Sequence, residues 1–164
     1  MKARLSLAQL LVLAGSVLTL CPASWCATGA VALWQPRAVS AQSTLTVYAY
    51  RQWQSTGLYL KTDDQVRLAA SGWWSYSPDV GLHGPEGGLP APSYYPLRSA
   101  PGGALLGRVG EAGVIFYVGR GASYLATQPG FLYLRINDDL LGDNVGSLTV
   151  KFEVQPAPTA PARH

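Results

Sequence analysis

The chain has 164 residues, only 13 % of them charged, with 18 glycines and 12 prolines. An average globular chain is roughly 25 % charged and about 12 % Pro plus Gly, so this composition excludes coiled coils, long amphipathic helices and a charged disordered chain. The net charge of +3 does not indicate a nucleic-acid partner, because Lys2, Arg4, Arg37 and Arg163 lie outside residues 43–154 while all 9 acidic residues lie within them; the remaining cations are scattered singly, with no basic stripe to neutralise phosphates.

In chain order, Met1 to Arg4 is basic, and Leu5 to Leu20 carries no charge and is rich in Leu, Val and Ala. This is the pattern of a secretory signal peptide over 1–26, broken by Pro22 and followed by small residues. The expected product is secreted or periplasmic, with no stable membrane span after cleavage. The rival is an uncleaved anchor, since no charge appears from Leu5 to Pro36 and a span needs about 20 apolar residues. Cys21 and Cys26 are the only cysteines and both lie at this boundary. A disulfide framework and a thiolate zinc site are thereby excluded from the rest of the chain.

Residues 27–43 read as a flexible lead-in and 155–164 as a disordered Pro/Ala tail. Between them, 44–154 is expected to be one domain built from strands at Leu45–Tyr50, Leu58–Lys61, Gln65–Ala70, Ala104–Val109, Val114–Val118, Ser123–Thr127, Phe131–Ile136 and Ser147–Val154. The last alternates with period two, placing Leu148, Val150, Phe152 and Val154 on one face; in Phe131–Ile136 the inward set is Leu132, Leu134 and Ile136. Eight short strands separated by Gly, Pro and Asp clusters predict an all-β, antiparallel jelly-roll sandwich. Two connections break the rhythm. One runs from Ser75 to Gly103, a length that marks a functional loop or one with local structure of its own. The other is Asn137 to Asn144.

That second loop places the side-chain oxygens of Asp138, Asp139, Asp143 and Asn144 within seven residues. Hard cations such as calcium take six to eight oxygens from carboxylates, amides and carbonyls, and Gly142 lets the loop turn back on itself. The alternative reading is an ordinary turn, since Asp, Asn and Gly are the usual residues of β-connections. The spacing is not that of an EF-hand.

Gly72-Trp73-Trp74-Ser75-Tyr76, Pro78, Gly84-Pro85-Glu86-Gly87, the run Gly103 to Gly110, and the ending Asn137-Asp138, Asp143-Asn144, Gly146-Ser147 together resemble the PA-I galactophilic lectins, small bacterial calcium-dependent galactose-binding proteins. The blocks stand in the family's order and span roughly 45–154. The resemblance implies a galactose-binding-domain-like jelly roll holding one calcium that itself binds two sugar hydroxyls. Carried over by position, it implies Asp138, Asp143 and Asn144 as side-chain ligands, with backbone carbonyls from Tyr76 and Leu141. The chain departs from the family where Asp143 replaces an Asn, and where the stretch 88–98 lacks the His and Gln that grip the sugar. Candidate sugar contacts are therefore Asp138, Asp139, Asp143, Tyr94, Tyr95 and His83, with Tyr94 and Tyr95 either stacking on the sugar or packing the loop.

His83 otherwise reads as a surface residue of the long loop, and Trp53, Trp73 and Trp74 as either a sugar platform or core anchors. One His, no dependable Cys and no G-x-S-x-G motif leave little material for a nucleophile–base triad. The expectation is a non-catalytic, calcium-dependent module for galactose-like glycans, whose modest single-site affinity favours a homo-oligomer. The alternative is the same sandwich as a calcium-stabilised interaction or envelope-structural domain without sugar binding.

Overall fold

The computed structural model describes residues 43–158. The expected signal peptide, the lead-in up to Gln42 and the tail from Thr159 lie outside the described residues. Within them, eight strands follow one another: β1 Ser43–Tyr48, β2 Gln54–Leu60, β3 Gln65–Ser75, β4 Leu105–Val109, β5 Phe116–Tyr117, β6 Gly121–Leu125, β7 Gly130–Ile136 and β8 Val145–Gln155. A single 3-10 turn, Leu141–Asp143, precedes β8. No helix among the described residues is long and apolar enough to cross a membrane.

The strands form two antiparallel four-stranded sheets, ordered β1-β8-β3-β6 and β2-β7-β4-β5. This is the jelly-roll order, in which consecutive strands mostly alternate between sheets. The period-two pattern decides which side chains meet between the sheets. Leu132, Leu134 and Ile136 of β7 are fully buried, as are Leu148 and Val150 of β8, Val66 of β3 and Leu105 of β4. Each such side chain contributes about 1.5–3 kcal/mol by leaving water. Phe116 stacks on Tyr124 with centroids 3.9 Å apart, closing the core beside β5 and β6.

Several boundaries differ from the sequence reading, for local reasons. β3 continues past Ala70 to Ser75, because β8 pairs with it without interruption down to Ser75↔Val145. Val114 is exposed, and a Cβ on Gly113 would meet the Val109 carbonyl oxygen at 1.9 Å, so the chain turns there and β5 shrinks to two residues. At the C-terminal end, Gln155 belongs to β8 and the Ala157 amide donates to Asp64 Oδ1 at 3.0 Å. The first three residues assigned to the tail are therefore laid along the domain.

The long connection after β3 is folded upon itself. Trp74 and His83 exchange backbone hydrogen bonds of 3.0 and 2.7 Å, Gly88 and Gly102 are joined at 2.9 Å, and the Leu105 amide donates to the Pro85 carbonyl at 2.8 Å. A second apolar cluster, Ala100, Ala104 and Leu106 with Trp53, Leu97 and Ile115, lies on the face of β4 opposite the main core.

Candidate functional site

The β7–β8 loop and the long loop meet at one end of the sandwich. Asn137 is the joint. Fully buried, it accepts the Leu97 amide through Oδ1 at 3.1 Å and donates from Nδ2 to the carbonyls of Leu97, Ala100 and Pro101 at 2.9–3.0 Å. Its own backbone pairs with Gly103 and Ala104. A single amide thus sets where residues 97–101 run relative to Asp138. In the sequence Asn137 stood as the first residue of an Asp/Asn loop and within the Asn137-Asp138 block, and nothing there marked it as the joint between the two loops.

Next along the chain, Asp138 is 1 % exposed, while Asp139 and Leu140 face solvent. The Asp138/Asp139 pair follows the alternation carried out of β7, and Leu140 departs from it just ahead of the 3-10 turn. The 3-10 turn then reverses the chain: the Asn144 amide donates to the Leu141 carbonyl at 3.4 Å, and the Leu141 side chain packs against the main core. Asn144 is buried and its Nδ2 donates to the Ala49 carbonyl at 3.2 Å. Three buried side-chain oxygens here make no hydrogen bond within the protein: Asp138 Oδ2, Asp143 Oδ1 and Asn144 Oδ1. Since buried polar atoms are normally paired, and leaving one unpaired costs about 1–3 kcal/mol, three acceptors on one short loop call for a partner from outside the protein, which a cation or hydrogen-bond donors such as water would supply.

The opposite wall comes from the end of β3. The β3–β8 ladder closes at Ser75↔Val145, so the register carries Tyr76 and Asn144 to facing positions. The Tyr76 ring is buried, lies 5.1 Å from the His83 ring and 6.5 Å edge-on to Tyr95, and its hydroxyl accepts the Leu89 amide at 3.3 Å. Gly103 makes room for it: a Cβ there would stand 2.3 Å from the ring, at a φ of +74° that already favours glycine. Tyr95 is half-buried near Asp138; burial first, and then hydrogen bonding to and the charge of Asp138, push its phenol above the ordinary value. Tyr94 lies edge-on to Tyr95 at 5.4 Å and stays 67 % exposed.

Behind the loop sits a cation that sequence reasoning missed. Arg135 points to the outer face of its sheet, as period two requires, yet it is 7 % exposed. Its Nη2 donates to the Asp138 carbonyl, its Nε to the Ile136 carbonyl at 3.0 Å, and its Nη1 to Gln52 Oε1 at 2.9 Å. Burial holds its guanidinium below the ordinary value; Asp138 and Asp139 oppose that shift and Arg108 adds to it. The signal available in the sequence was an Arg two residues ahead of Asn137, which looks like any strand-end cation.

Of the residues singled out beforehand, Tyr76, Tyr95, Asp138, Asp143 and Asn144 come together at this end of the molecule, with Tyr94 and His83 adjoining through the tyrosines. Asp139 is in the same loop and turned outward. His83 is not a surface residue: it is half-buried, and its Nε2 has no hydrogen-bond partner. The tryptophans divide. Trp74 is fully buried and donates to the Gly103 carbonyl at 2.7 Å, Trp73 is 60 % exposed on the outside of β3, and Trp53 is half-buried elsewhere.

Among the described residues, no group of three or more His, Cys, Asp or Glu side chains is placed to hold a metal. The oxygens at 138–144 are instead a mixed set of two carboxylates and one amide, with carbonyls alongside. All are hard donors of the kind calcium takes, and the three orphaned atoms are those a cation would engage. In chemical kind, these residues fit the ion.

No protein-family model and no curated protein matches the chain. Among solved structures, the domain is similar to one described as "EclA N-terminal domain; PllA-like lectin", with a TM-score of 0.56 and 23 % sequence identity over 68 % of this chain and 94 % of that one. The jelly roll found here is therefore an architecture that a lectin domain also uses.

Proposed function

We propose that this chain is an exported, calcium-dependent carbohydrate-binding module of the PA-I type, without catalysis, taking galactose-like glycans. The observation that carries the reading is the set of unpaired buried oxygens on Asp138, Asp143 and Asn144. Those three side chains would hold the ion, with backbone carbonyls at Tyr76 and Leu141 beside them. A bound calcium would supply positions that two neighbouring sugar hydroxyls can occupy in place of water. The protein's own part is to orient the sugar. Outward-facing Asp139 can accept a hydroxyl proton in a charge-assisted bond, and exposed Tyr94 offers a ring face for the C–H side of the sugar. Tyr95 is tied to Asp138 and acts on the sugar through that carboxylate. Useful avidity then comes from a homo-oligomer or a multivalent glycan. Export is supported by the basic, then apolar, then Pro-broken start of the sequence.

Calorimetry with galactose tests this directly. Heat should be seen with calcium, vanish with a chelator, and vanish in Asp143→Ala. If calcium raises the melting temperature while a broad glycan array stays blank, the sugar half of the reading fails and the domain is a calcium-stabilised interaction module.

A further inference from the structure

The open side of the sandwich holds a second feature, separate from the Asp138 loop. β1 and β2 are edge strands of opposite sheets. Along them lies a groove of about 540 Å³ whose lining includes Thr46, Tyr48, Arg51, Gln52, Trp53 and Ser55. Leu45 is its sole aliphatic lining residue. The wall is held in place: Gln54 bonds both the amide and the carbonyl of Tyr48 at 2.9 Å, and Gln52 is fixed by Arg135.

Three guanidiniums lie on the rings of this groove, one of them, Arg51, in its lining. The Arg51 guanidinium lies 4.9 Å from the Tyr48 ring centre, Arg108 lies 4.3 Å from that of Trp53, and Arg135 lies 5.5 Å from the same indole. Among the described residues the sole ion pair is Arg120 with Glu86, so none of these three arginines is paired with a carboxylate. Arg108 Nε is buried and has no hydrogen-bond acceptor. Of the three, Arg51 is exposed, whereas Arg108 is half-buried and Arg135 is buried with its N–H groups used within the protein. A guanidinium resting on an aromatic ring, as Arg51 does, leaves its outer N–H groups directed at solvent, and a carboxylate or sulfate matches that fork.

We infer that the β1–β2 groove binds an acidic saccharide, its anionic group held by Arg51 in the field of Arg108 and Arg135, and its ring against Trp53 and Tyr48. The aromatic, hydroxyl and amide lining suits a sugar, which presents C–H faces and hydroxyls together. An acyl chain would find one leucine. The site needs no metal, so it stands or falls apart from the calcium reading.

The test is calorimetry of the full chain in a chelator, with oligogalacturonate, a neutral galacto-oligosaccharide of equal length, a sulfated galactan and a poly-glutamate peptide as probes. The acidic saccharides should bind at least about tenfold more tightly than the neutral one, the size expected of one charge-assisted bond, and should weaken as salt is raised. The better of the uronate and the sulfated galactan identifies the anion as carboxylate or sulfate. Arg51→Gln, at an exposed position, should melt as the parent does and lose about tenfold in affinity, whereas Asp143→Ala should bind as the parent does. Equal binding of neutral and acidic saccharides, equal binding of poly-glutamate, full binding by Arg51→Gln, or no binding of any probe would each overturn the proposal.

Discussion

At the Asp138 end of the sandwich three buried oxygens lack a donor, whereas beside the β1–β2 groove a buried guanidinium nitrogen lacks an acceptor. Arg135 stands between the two, donating to the Asp138 carbonyl on one side and to Gln52 on the other. The core between the sheets shows no such imbalance; it is a packing of Leu, Val and Ile with Trp74 satisfied by Gly103. The contrast is instructive because a folded chain pairs nearly all its buried polar groups. A cation would complete the acceptor-rich region, and an anion the donor-rich one. The unpaired atoms of the two regions are thus opposite in kind, and the buried Arg135 between them donates to the first while its charge faces Asp138 and Asp139 on one side and Arg108 on the other.

The largest expected effect comes from removing the joint that builds the acceptor-rich end. Asn137→Ala deletes four side-chain hydrogen bonds and leaves the Leu97 amide and the Ala100 carbonyl to find water, because the Leu97 and Pro101 carbonyls still accept from the amides of Ala100 and Ala104. At about 1–3 kcal/mol for each group left unsatisfied, and with some relaxation of the loop, a loss of about 4 kcal/mol is expected. Urea denaturation should show it with and without calcium. A loss below about 1 kcal/mol would mean that residues 97–101 do not depend on Asn137 for their place.

Next in size is the ion itself. A ligand that binds only the folded chain adds RT ln(1 + [L]/Kd), about 2.7 kcal/mol at a hundredfold excess over Kd. Calcium should raise the melting temperature accordingly, and Asp138→Ala should abolish the rise. Arg51→Gln in the groove should leave it intact, which separates the two regions in one experiment. Identical melting with calcium, with chelator and in Asp138→Ala would remove the cation from the comparison.

Much of this molecule was legible in the sequence because its strands are half-buried and alternate. Leu132, Leu134, Ile136, Leu148 and Val150 were readable as inward from period two alone, and all are buried. The outward turn of Asp139 follows from the same rule. What was not legible depends on contacts between distant segments. Nothing local distinguishes Arg135, whose burial under Trp53 and Gln52 arises from a turn 83 residues earlier in the chain. His83 reads as a loop histidine until Trp74 pairs with its backbone and Tyr76 covers its ring. Gly103 is an unremarked glycine until the Tyr76 ring fills the place of its absent Cβ. The extension of β3 to Ser75 is likewise decided by an intact ladder to β8, which no window of neighbouring residues contains.

A subtler variant turns the imbalance against itself. Asp138→Asn keeps the shape of the side chain, removes one negative charge from among Asp139 and Asp143, and supplies two N–H donors where acceptors are in excess. Without calcium it should stabilise the chain by about 1 kcal/mol, the usual net value of one hydrogen bond, and the calcium-induced rise should shrink or vanish. The pairing of a gain without the ion and a loss with it is the signature of a site built to hold a cation. A variant less stable than the parent in chelator would show that Tyr95 and the nearby charge of Arg135 already balance this carboxylate.

The smallest effect is expected at Asp139, and it sharpens the boundary of the acceptor-rich region. Asp138 and Asp139 are neighbours with the same functional group, yet one is 1 % exposed and the other faces solvent. An exposed carboxylate contributes through a screened charge alone, so Asp139→Ala should change stability by less than about 0.5 kcal/mol, as surface substitutions away from special features do. Its calcium-induced melting shift should stay close to the parent's, because the side chain directed away from Asp143 and Asn144 is not placed to share an ion with them. Galactose affinity should still fall about threefold to tenfold, since Asp139 is the carboxylate that an incoming hydroxyl can reach from solvent. That split, with thermal shift kept and sugar affinity reduced, is readable by comparing melting curves and calorimetry on one preparation. Loss of the thermal shift in Asp139→Ala would put its side chain on the ion and redraw the donor set to include all three loop aspartates.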